Sequence, residues 1–393
     1  MKCAIVGCGY IADYYAATRH GHPGLKWVGA FDRDAERLDT CARRWGVRAY
    51  RSLEELCADA GVELILNLTN PRNHLEVTRQ CLLSGKHVYS EKPLAMTVAD
   101  ASSLAELAAA KGVQLASAPC SVLGETAQSI GHAIRHGAIG KVRLVYGNFE
   151  DGMIAPRRSP WNWKNDAGVP WPARDEFEVG CTFEHAGYVL TWLAAWFGQA
   201  RTVTAFSSVQ VPDKGIAVSR MAPDFSVGCI QYPDGVVARL TFGLVAPRDK
   251  SLTIIGDDGV LFVGNVRDDS GPIYIRRAEL PQWQSRIAAR FGWLDTLLGA
   301  RYEWRGVEAL FQKRYPLRRA PTRHVSNPGK PVDFLMGPSE VAAAVTEQRA
   351  NRLSAPNGVH LVELTERLQH PERFSSTDVV SPFCPIAPMP WAM

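Results

Sequence analysis

The chain contains no uninterrupted apolar run of about 18 residues, the length a membrane-spanning helix requires, so no membrane span is expected. It also lacks any C-x-x-C pair or Cys/His cluster at zinc spacing. Its nine cysteines (3, 8, 41, 57, 81, 120, 181, 229 and 384) are scattered and read as reduced thiols, mostly small core residues, with no metal site. Blocks of like charge are missing as well. The net charge is only +4 over 393 residues, with Lys and Arg dispersed, which makes nucleic acid a poor partner. Ahead of the first Gly-rich segment stand only Met1 to Val6, too few for the apolar region of a signal peptide, and a cytoplasmic location is expected. No low-complexity tract or internal repeat is seen.

What remains is an ordinary globular composition, 46% hydrophobic and 21% charged. The length suits two domains, each able to bury a core. Up to about residue 118, short β-branched runs alternate with longer amphipathic stretches, which signals βαβ units and a parallel sheet. Strands are predicted at Cys3–Val6, Trp27–Phe31, Glu63–Leu68, His87–Ser90 and Gln114–Ser117. Helices are predicted at Ile11–Arg19, Asp34–Trp45, Ser52–Ala60, Asn73–Ser84 and Val98–Lys111. Thr97, with Asp100 three residues on, opens the last helix like a capping box.

Beyond residue 120 the pattern changes to a helix at Gly124–His136, a strand at Lys141–Phe149, and a loop of about 151–174 crowded with Trp and Pro. Trp161, Trp163 and Trp171 read either as a wall or lid around a ligand or as cover for a core edge. A helix at Glu178–Phe197 precedes β-rich sequence over 201–276, with hairpin signals at Pro233-Asp234-Gly235 and Asp257-Asp258-Gly259. The stretch 282–330 is a basic, aromatic insertion to which no chemistry attaches. Helices at Ser339–Arg352 and Gly358–Gln369 and a Pro-rich tail follow. The expected fold class is therefore α/β: a Rossmann domain over 1–120, then an α+β domain over 121–393 with a large, mostly antiparallel open sheet.

The segment Gly7-Cys8-Gly9-Tyr10-Ile11-Ala12 stands between a predicted strand and a predicted helix, the context in which G-x-G-x-x-A binds a dinucleotide pyrophosphate on helix N-terminal amides. Gly7 permits the tight turn, Gly9 lets the backbone approach the phosphates, and Ala12 keeps helix close to strand. Asp32 ends the second strand, about 20 residues past the motif, where a carboxylate binds both ribose hydroxyls and repels a 2′-phosphate. NAD is favoured over NADP, although Arg33 could stack on adenine or pair with that phosphate.

Thr69-Asn70-Pro71 with His74, and then Glu91-Lys92-Pro93 after the fourth strand, follow in order. At these residues the chain resembles the Gfo/Idh/MocA oxidoreductases, the family of glucose-fructose oxidoreductase and inositol dehydrogenase. The resemblance implies an NAD-dependent oxidoreductase acting on CH–OH groups, a sugar or cyclitol lying over the second domain's sheet, and pairing of sheets into homodimers or homotetramers. Thr69, Asn70, His74, Glu91 and Lys92 then join Gly7, Gly9, Tyr10, Ile11, Ala12, Asp32 and Arg33 around the cofactor, with His74 capping or packing near its loop. Lys92 would point into the cleft and help move the proton of the oxidised hydroxyl, its pKa lowered towards neutrality by burial and by the positive nicotinamide ring.

The second motif of the family, Asp and His four residues apart on a helix, is altered. Counting back from Trp196-Phe197-Gly198, the Asp place falls on Glu184 and the His place on Tyr188, while a histidine stands at 185. Residues 184 and 188 share a helix face, and 185 is rotated by about 100°. Either Tyr188 acts as acid/base, with Lys92 lowering its pKa, or the helix is turned so that His185 enters the site. Catalytic candidates are thus Lys92, Tyr188, His185 and Glu184, and substrate candidates Trp161, Trp163 and Arg174. The arginines at 157, 158 and 174 would suit a nucleotide sugar if they form a groove. The leading expectation is hydride transfer between NAD and a secondary hydroxyl of a sugar, sugar derivative or cyclitol. The alternative is an NAD-assisted lyase or glycoside hydrolase working by transient sugar oxidation.

Overall fold

The computed structural model describes residues 1–152, 163–277, 282–294, 311–321 and 332–393. Trp161, Arg157 and Arg158 lie outside the described residues, as do parts of the 282–330 stretch.

Six strands, β1 (Lys2–Val6), β2 (Lys26–Phe31), β3 (Arg48–Ala49), β4 (Leu64–Asn67), β5 (His87–Ser90) and β6 (Leu115–Ser117), form a parallel sheet in the order 3-2-1-4-5-6. Each central strand is nearly all apolar and buried on both faces. Five helices accompany them: α1 (Ala12–Ala17), α2 (Ala35–Trp45), α3 (Leu53–Ala58), α4 (His74–Leu83) and α5 (Val98–Lys111). Their limits follow local chemistry. Asp34 and Ser52 accept hydrogen bonds from Arg37 N–H and Glu55 N–H to open α2 and α3. The expected cap at Thr97 is present, accepting from Asp100 N–H. The strand order reverses between β1 and β4, and the crevice outside their carboxyl ends is where a doubly wound sheet binds ligands.

The second sheet has eight strands in the order 14-13-12-11-7-10-9-8 among the described residues. They are β7 (Val142–Glu150), β8 (Thr202–Ser208), β9 (Phe225–Gln231), β10 (Val237–Gly243), β11 (Leu252–Gly256), β12 (Gly259–Val263), β13 (Ile273–Arg277) and β14 (Lys313–Tyr315). All pairings are antiparallel except β7 with β10. Both expected hairpins are there, joining β9 to β10 and β11 to β12. Helices α6 (Glu125–Arg135), α7 (Ala173–Val179) and α8 (Cys181–Phe197) follow the crossover. The apolar face of the sheet and α8 share one core, which holds Val145, Phe149, Val189, Leu193, Leu240 and Leu252.

Two expectations change. The helix predicted over 178–197 is two helices, α7 and α8, divided at Gly180 with φ 99°. A Cβ there would stand 2.5 Å from Gln369 Oε1, so glycine is needed for space as well as conformation. Gln369 Oε1 also accepts from Thr182 N–H at 3.2 Å and Phe183 N–H at 3.4 Å, capping α8 from a distant element.

The chain after 330 does not stay with the second sheet. Following α9 (Gln282–Phe291), helices α10 (Met336–Thr346) and α11 (Ala355–Gln369) return. Ala355, Val359 and Val362 of α11 pack with Leu94, Ala101 and Leu104 of the first half, while Leu364 and Leu368 join the second core. A cut at 120 therefore separates the sheets but not the cores.

Candidate active site at the carboxyl ends of the parallel strands

Two cavities meet over the ends of β1 and β4, of about 400 and 510 Å³, and both are lined by Gly9, Leu68, Thr69 and Asn70. The smaller reaches Asp32, Arg33, Arg37 and Arg51, and the larger reaches Lys92 and α8.

The Gly-rich turn is shaped by its neighbours. Gly7 has φ 96°, and a Cβ on it would lie 2.8 Å from the Leu68 carbonyl carbon and the Thr69 amide nitrogen, so no larger residue fits. A Cβ on Gly9 would meet nothing within 4 Å, leaving open the space where a pyrophosphate would approach the start of α1. Ala12 is buried in the core beneath. Asp32 ties the second strand to this turn by accepting from Cys8 N–H at 2.7 Å and Asp34 N–H at 2.8 Å, with Arg37 at 3.8 Å. The linked cavities and the glycine turn at their junction fit a dinucleotide, and the nucleotide end is lined by Asp32 and Arg33, with Arg37 and Arg51, which the sequence did not single out, beside them.

Tyr10 and Ile11 line the larger cavity. Asn165 donates to the Tyr10 carbonyl at 3.1 Å, and Ala167 N–H donates to Asp13 at 2.8 Å, which pins the end of the Trp-rich loop against α1. Trp163 lines the cavity and packs on Trp171 at 5.1 Å. Arg174 is exposed and lines neither cavity, so the substrate role expected of it is not supported. Its position early in α7 turns it outward, towards Asp175 and Glu178.

His74 is likewise corrected as a cofactor contact. It is fully buried and lines neither cavity. Its ring nitrogens face the carbonyl oxygens of Pro93 at 2.6 Å and Thr69 at 2.8 Å, so it holds the Thr69-Asn70 turn against the Lys92-Pro93 turn. Thr69 donates to Asn67 Oδ1 at 2.7 Å, and the Asn70 amide donates to Asp175. Glu91 accepts from the Tyr15 hydroxyl at 2.6 Å and from Lys92 N–H at 3.0 Å.

Lys92 enters the cavity from the end of β5 and pairs with the Glu184 carboxylate on the first turn of α8. Burial opposes its charge, but Glu184, helped by Tyr188, Glu176 and Glu91, outweighs burial and holds the pKa above the ordinary lysine value. The lowering expected from sequence is thereby reversed, because a counter-ion 92 residues away meets the ammonium. Glu184 in turn is held below the usual carboxylate range: burial raises it, and Lys92 and Glu176 more than compensate. Glu176, buried beside it, is pushed well up, first by burial and then by Glu184, so it carries the proton of the carboxyl pair.

His185 and Tyr188 both line the cavity with Glu184, so the cleft wraps far enough around α8 to take in both faces without any rotation of the helix. His185 Nε2 lies 3.1 Å from Asp151 Oδ2, and its ring stacks on Phe149 at 4.5 Å. Burial lowers its pKa despite Asp151, and its Nδ1 is buried without a hydrogen-bond partner. Tyr188 stacks on Phe149 at 5.3 Å. Burial raises its pKa, with Arg267 and Lys92 only opposing, so it is held as a phenol rather than the lowered acid/base expected.

Several groups in and behind the cavity wall went unforeseen. Asp151 follows β7 and pairs with both His185 and Lys250. Burial raises its pKa, but those two partners hold it below the usual carboxylate range. Burial, with Arg267 nearby, brings Lys250 down to about 8. Arg267 sits in the turn after β12, its guanidinium 4.9 Å above the Tyr188 ring. The only advance signal was an acid directly after a predicted strand. Asp151 meets Lys250 because β7 pairs with β11, where Glu150 bridges Asp249, and no spacing in the sequence encodes that.

A 3-2-1-4-5-6 sheet whose glycine turn opens into a cleft holding a paired lysine defines a nicotinamide-nucleotide oxidoreductase. The model of the oxidoreductase family with NAD-binding Rossmann fold matches residues 1–118, and that of the Gfo/Idh/MocA C-terminal domain matches residues 127–262. The chain belongs to the Gfo/Idh/MocA family. It is 26% identical to trans-1,2-dihydrobenzene-1,2-diol dehydrogenase of Mus musculus over 268 residues, 66% of this chain and 73% of that one. Its fold matches aldose-aldose oxidoreductase from Caulobacter crescentus, complexed with glycerol, with TM-score 0.72 at 16% identity, covering 95% and 97% of the two chains. It also matches the 3-ketoreductase KijD10 from Actinomadura kijaniata in complex with NADP, with TM-score 0.68 at 16% identity, covering 94% and 96%.

Proposed function

We propose that the protein catalyses reversible hydride transfer between NAD and a secondary hydroxyl of a sugar, sugar derivative or cyclitol. The observation that carries this reading is Lys92: a charged ammonium in the cleft, paired with Glu184, beyond the glycine turn from the nucleotide end. A dihydrodiol dehydrogenase and an aldose–aldose oxidoreductase among its likenesses support a polyhydroxylated substrate.

The nicotinamide, when bound, exchanges the hydride with the carbinol carbon. Lys92 donates a hydrogen bond to the reacting oxygen and stabilises the negative charge that develops there. As the hydroxyl proton leaves for Lys92, the lysine returns one to Glu184, so net charge in the pocket is conserved. In the reverse direction the same proton is returned to the carbonyl oxygen. Tyr188 donates to a neighbouring hydroxyl, and neutral His185, oriented by Asp151, accepts from another through Nδ1. Trp163 covers the mouth. NAD is preferred because Asp32 meets the ribose diol, although Arg33, Arg37 and Arg51 around it resemble a phosphate site.

The test is a panel of inositols, free sugars and nucleotide sugars, with NAD and with NADP, following nicotinamide absorbance. Lys92→Ala is expected to lower kcat/KM by about 10²–10⁴ with the best substrate, and Asp32→Ser to shift preference towards NADP. Full activity of Lys92→Ala, or substrate turnover with no net change in nicotinamide absorbance, refutes the reading.

A further inference from the structure

Two arginines sheltered within the described residues are matched to carboxylates. Arg352 pairs with Glu340 at 3.0 Å and Arg367 with Glu363 at 2.8 Å. The lysine of the cleft and the one beside it are matched too, Lys92 to Glu184 and Lys250 to Asp151. Arg267 differs from these. It is half-buried, lines the cleft, and forms no ion pair among the described residues. Its Nε is buried without a hydrogen-bond partner, and its guanidinium lies over the Tyr188 ring. The nearby carboxylates, Asp151 and Glu91, act on it only from a distance. A sheltered guanidinium with unused donors is costly unless an anion completes it.

We infer that Arg267 is the anchor for a substrate carboxylate, and that the substrate is a sugar acid, uronic or aldonic, rather than a neutral sugar. The guanidinium lies over Tyr188 at the cavity wall, and a planar guanidinium is the group that a carboxylate fits in a bidentate manner. Arg267 lies over the Tyr188 ring and Lys92 lines the same cavity, so a carboxylate held at Arg267 and a hydroxyl at Lys92 would share one pocket. Lys92 is committed to Glu184 and the neighbouring Lys250 to Asp151, whereas Arg267 lines the cavity without an ion-pair partner among the described residues, with Glu91 also in the lining; Arg248 lines the cavity but is exposed. The inference rests on the dehydrogenase reading for the placement of the hydroxyl at Lys92, but not for the binding of the carboxylate.

The experiment uses the full-length protein saturated with NADH and measures binding of galacturonate and gluconate against galactose and glucitol, together with turnover of each under NAD. Variants are Arg267→Gln and Arg267→Lys, each first checked for an unchanged NADH titration. The expected result is that the acids bind at least about tenfold more tightly than their neutral parents. Arg267→Gln should lose about 10–100-fold for the acids, chiefly in KM, and little for the neutral sugars, with Arg267→Lys between. Equal affinity for acid and neutral sugar, an unaltered affinity in Arg267→Gln, or tighter binding of sugar phosphates than of sugar acids overturns the inference. Oxidation of neutral sugars without preference for acids sinks this inference and leaves the dehydrogenase standing. Arg267-dependent binding of acids without net NADH formation does the reverse.

Discussion

Replacing Glu184 with Gln preserves the shape of the side chain and removes the carboxylate paired with the Lys92 ammonium. Two opposite charges about 4 Å apart at an effective dielectric near 20 attract by about 4 kcal/mol. At about 1.4 kcal/mol per tenfold, that is up to about a thousandfold in proton affinity. The glutamine carbonyl can still accept from Nζ, which trims the loss towards about a hundredfold. Burial of Lys92, which works against its charge, is unchanged by the substitution, while Glu176, released from the charge of Glu184, and Glu91 still favour the ammonium and hold the loss towards the lower end of that range. Competitive labelling with an amine-reactive reagent, read by mass spectrometry from about pH 7 to about pH 11, measures the neutral fraction of Lys92 directly and needs no substrate. In the native protein Lys92 should label more slowly than the exposed lysines at every pH. In Glu184→Gln its reactivity should rise by about 10²–10³. Equal reactivity in the two proteins would refute the view that Glu184 sets the charge of Lys92.

Three further outcomes are expected. Gly7→Ala should destabilise the fold by about 1–3 kcal/mol and weaken NADH binding, since the added Cβ meets backbone at 2.8 Å with φ 96°; an unchanged NADH titration would contradict the tight-turn account. Gln369→Ala strips the cap from α8, leaving Thr182 and Phe183 N–H unpaired. It should cost about 1–3 kcal/mol in urea unfolding and lower kcat with little effect on NADH affinity. Lys250 has its folded pKa depressed to about 8 from 10.5, so across that interval the unfolded chain holds more protons and native stability must rise with pH. Relative to Lys250→Met, the native protein should gain about 3 kcal/mol between those limits, and parallel stability curves would discard the assignment.

The nucleotide half was legible because its signals are local. Gly7, Gly9, Ala12 and Asp32 act within one βαβ unit, and the strand runs that bracket them are nearly pure in apolar residues. Lys92 and Glu184 could be named from a motif and a count along a helix, yet their mutual charge state could not, because each is set by the other across the fold. The break at Gly180 reads as helix continuation until Gln369 is brought against it. The pair of Asp151 and Lys250, and the isolation of Arg267, come from strand order in the second sheet, where neighbours in space are remote in sequence. Arg174 failed for a simpler reason: basic character says nothing about which side of α7 faces the cleft.

Helix α11 closes the core of the nucleotide-binding half with Ala355, Val359 and Val362. On the ribosome those side chains arrive only after both sheets have been synthesised. Until then Leu94, Ala101 and Leu104 lack that cover and have only the other elements of the nucleotide half to pack against. Such contacts, spanning most of the chain, raise contact order and slow folding. The half that reads most easily as an independent module is therefore a poor one to make alone: a fragment ending near residue 120 should be prone to aggregation, and adding residues 332–393 in trans should rescue its solubility.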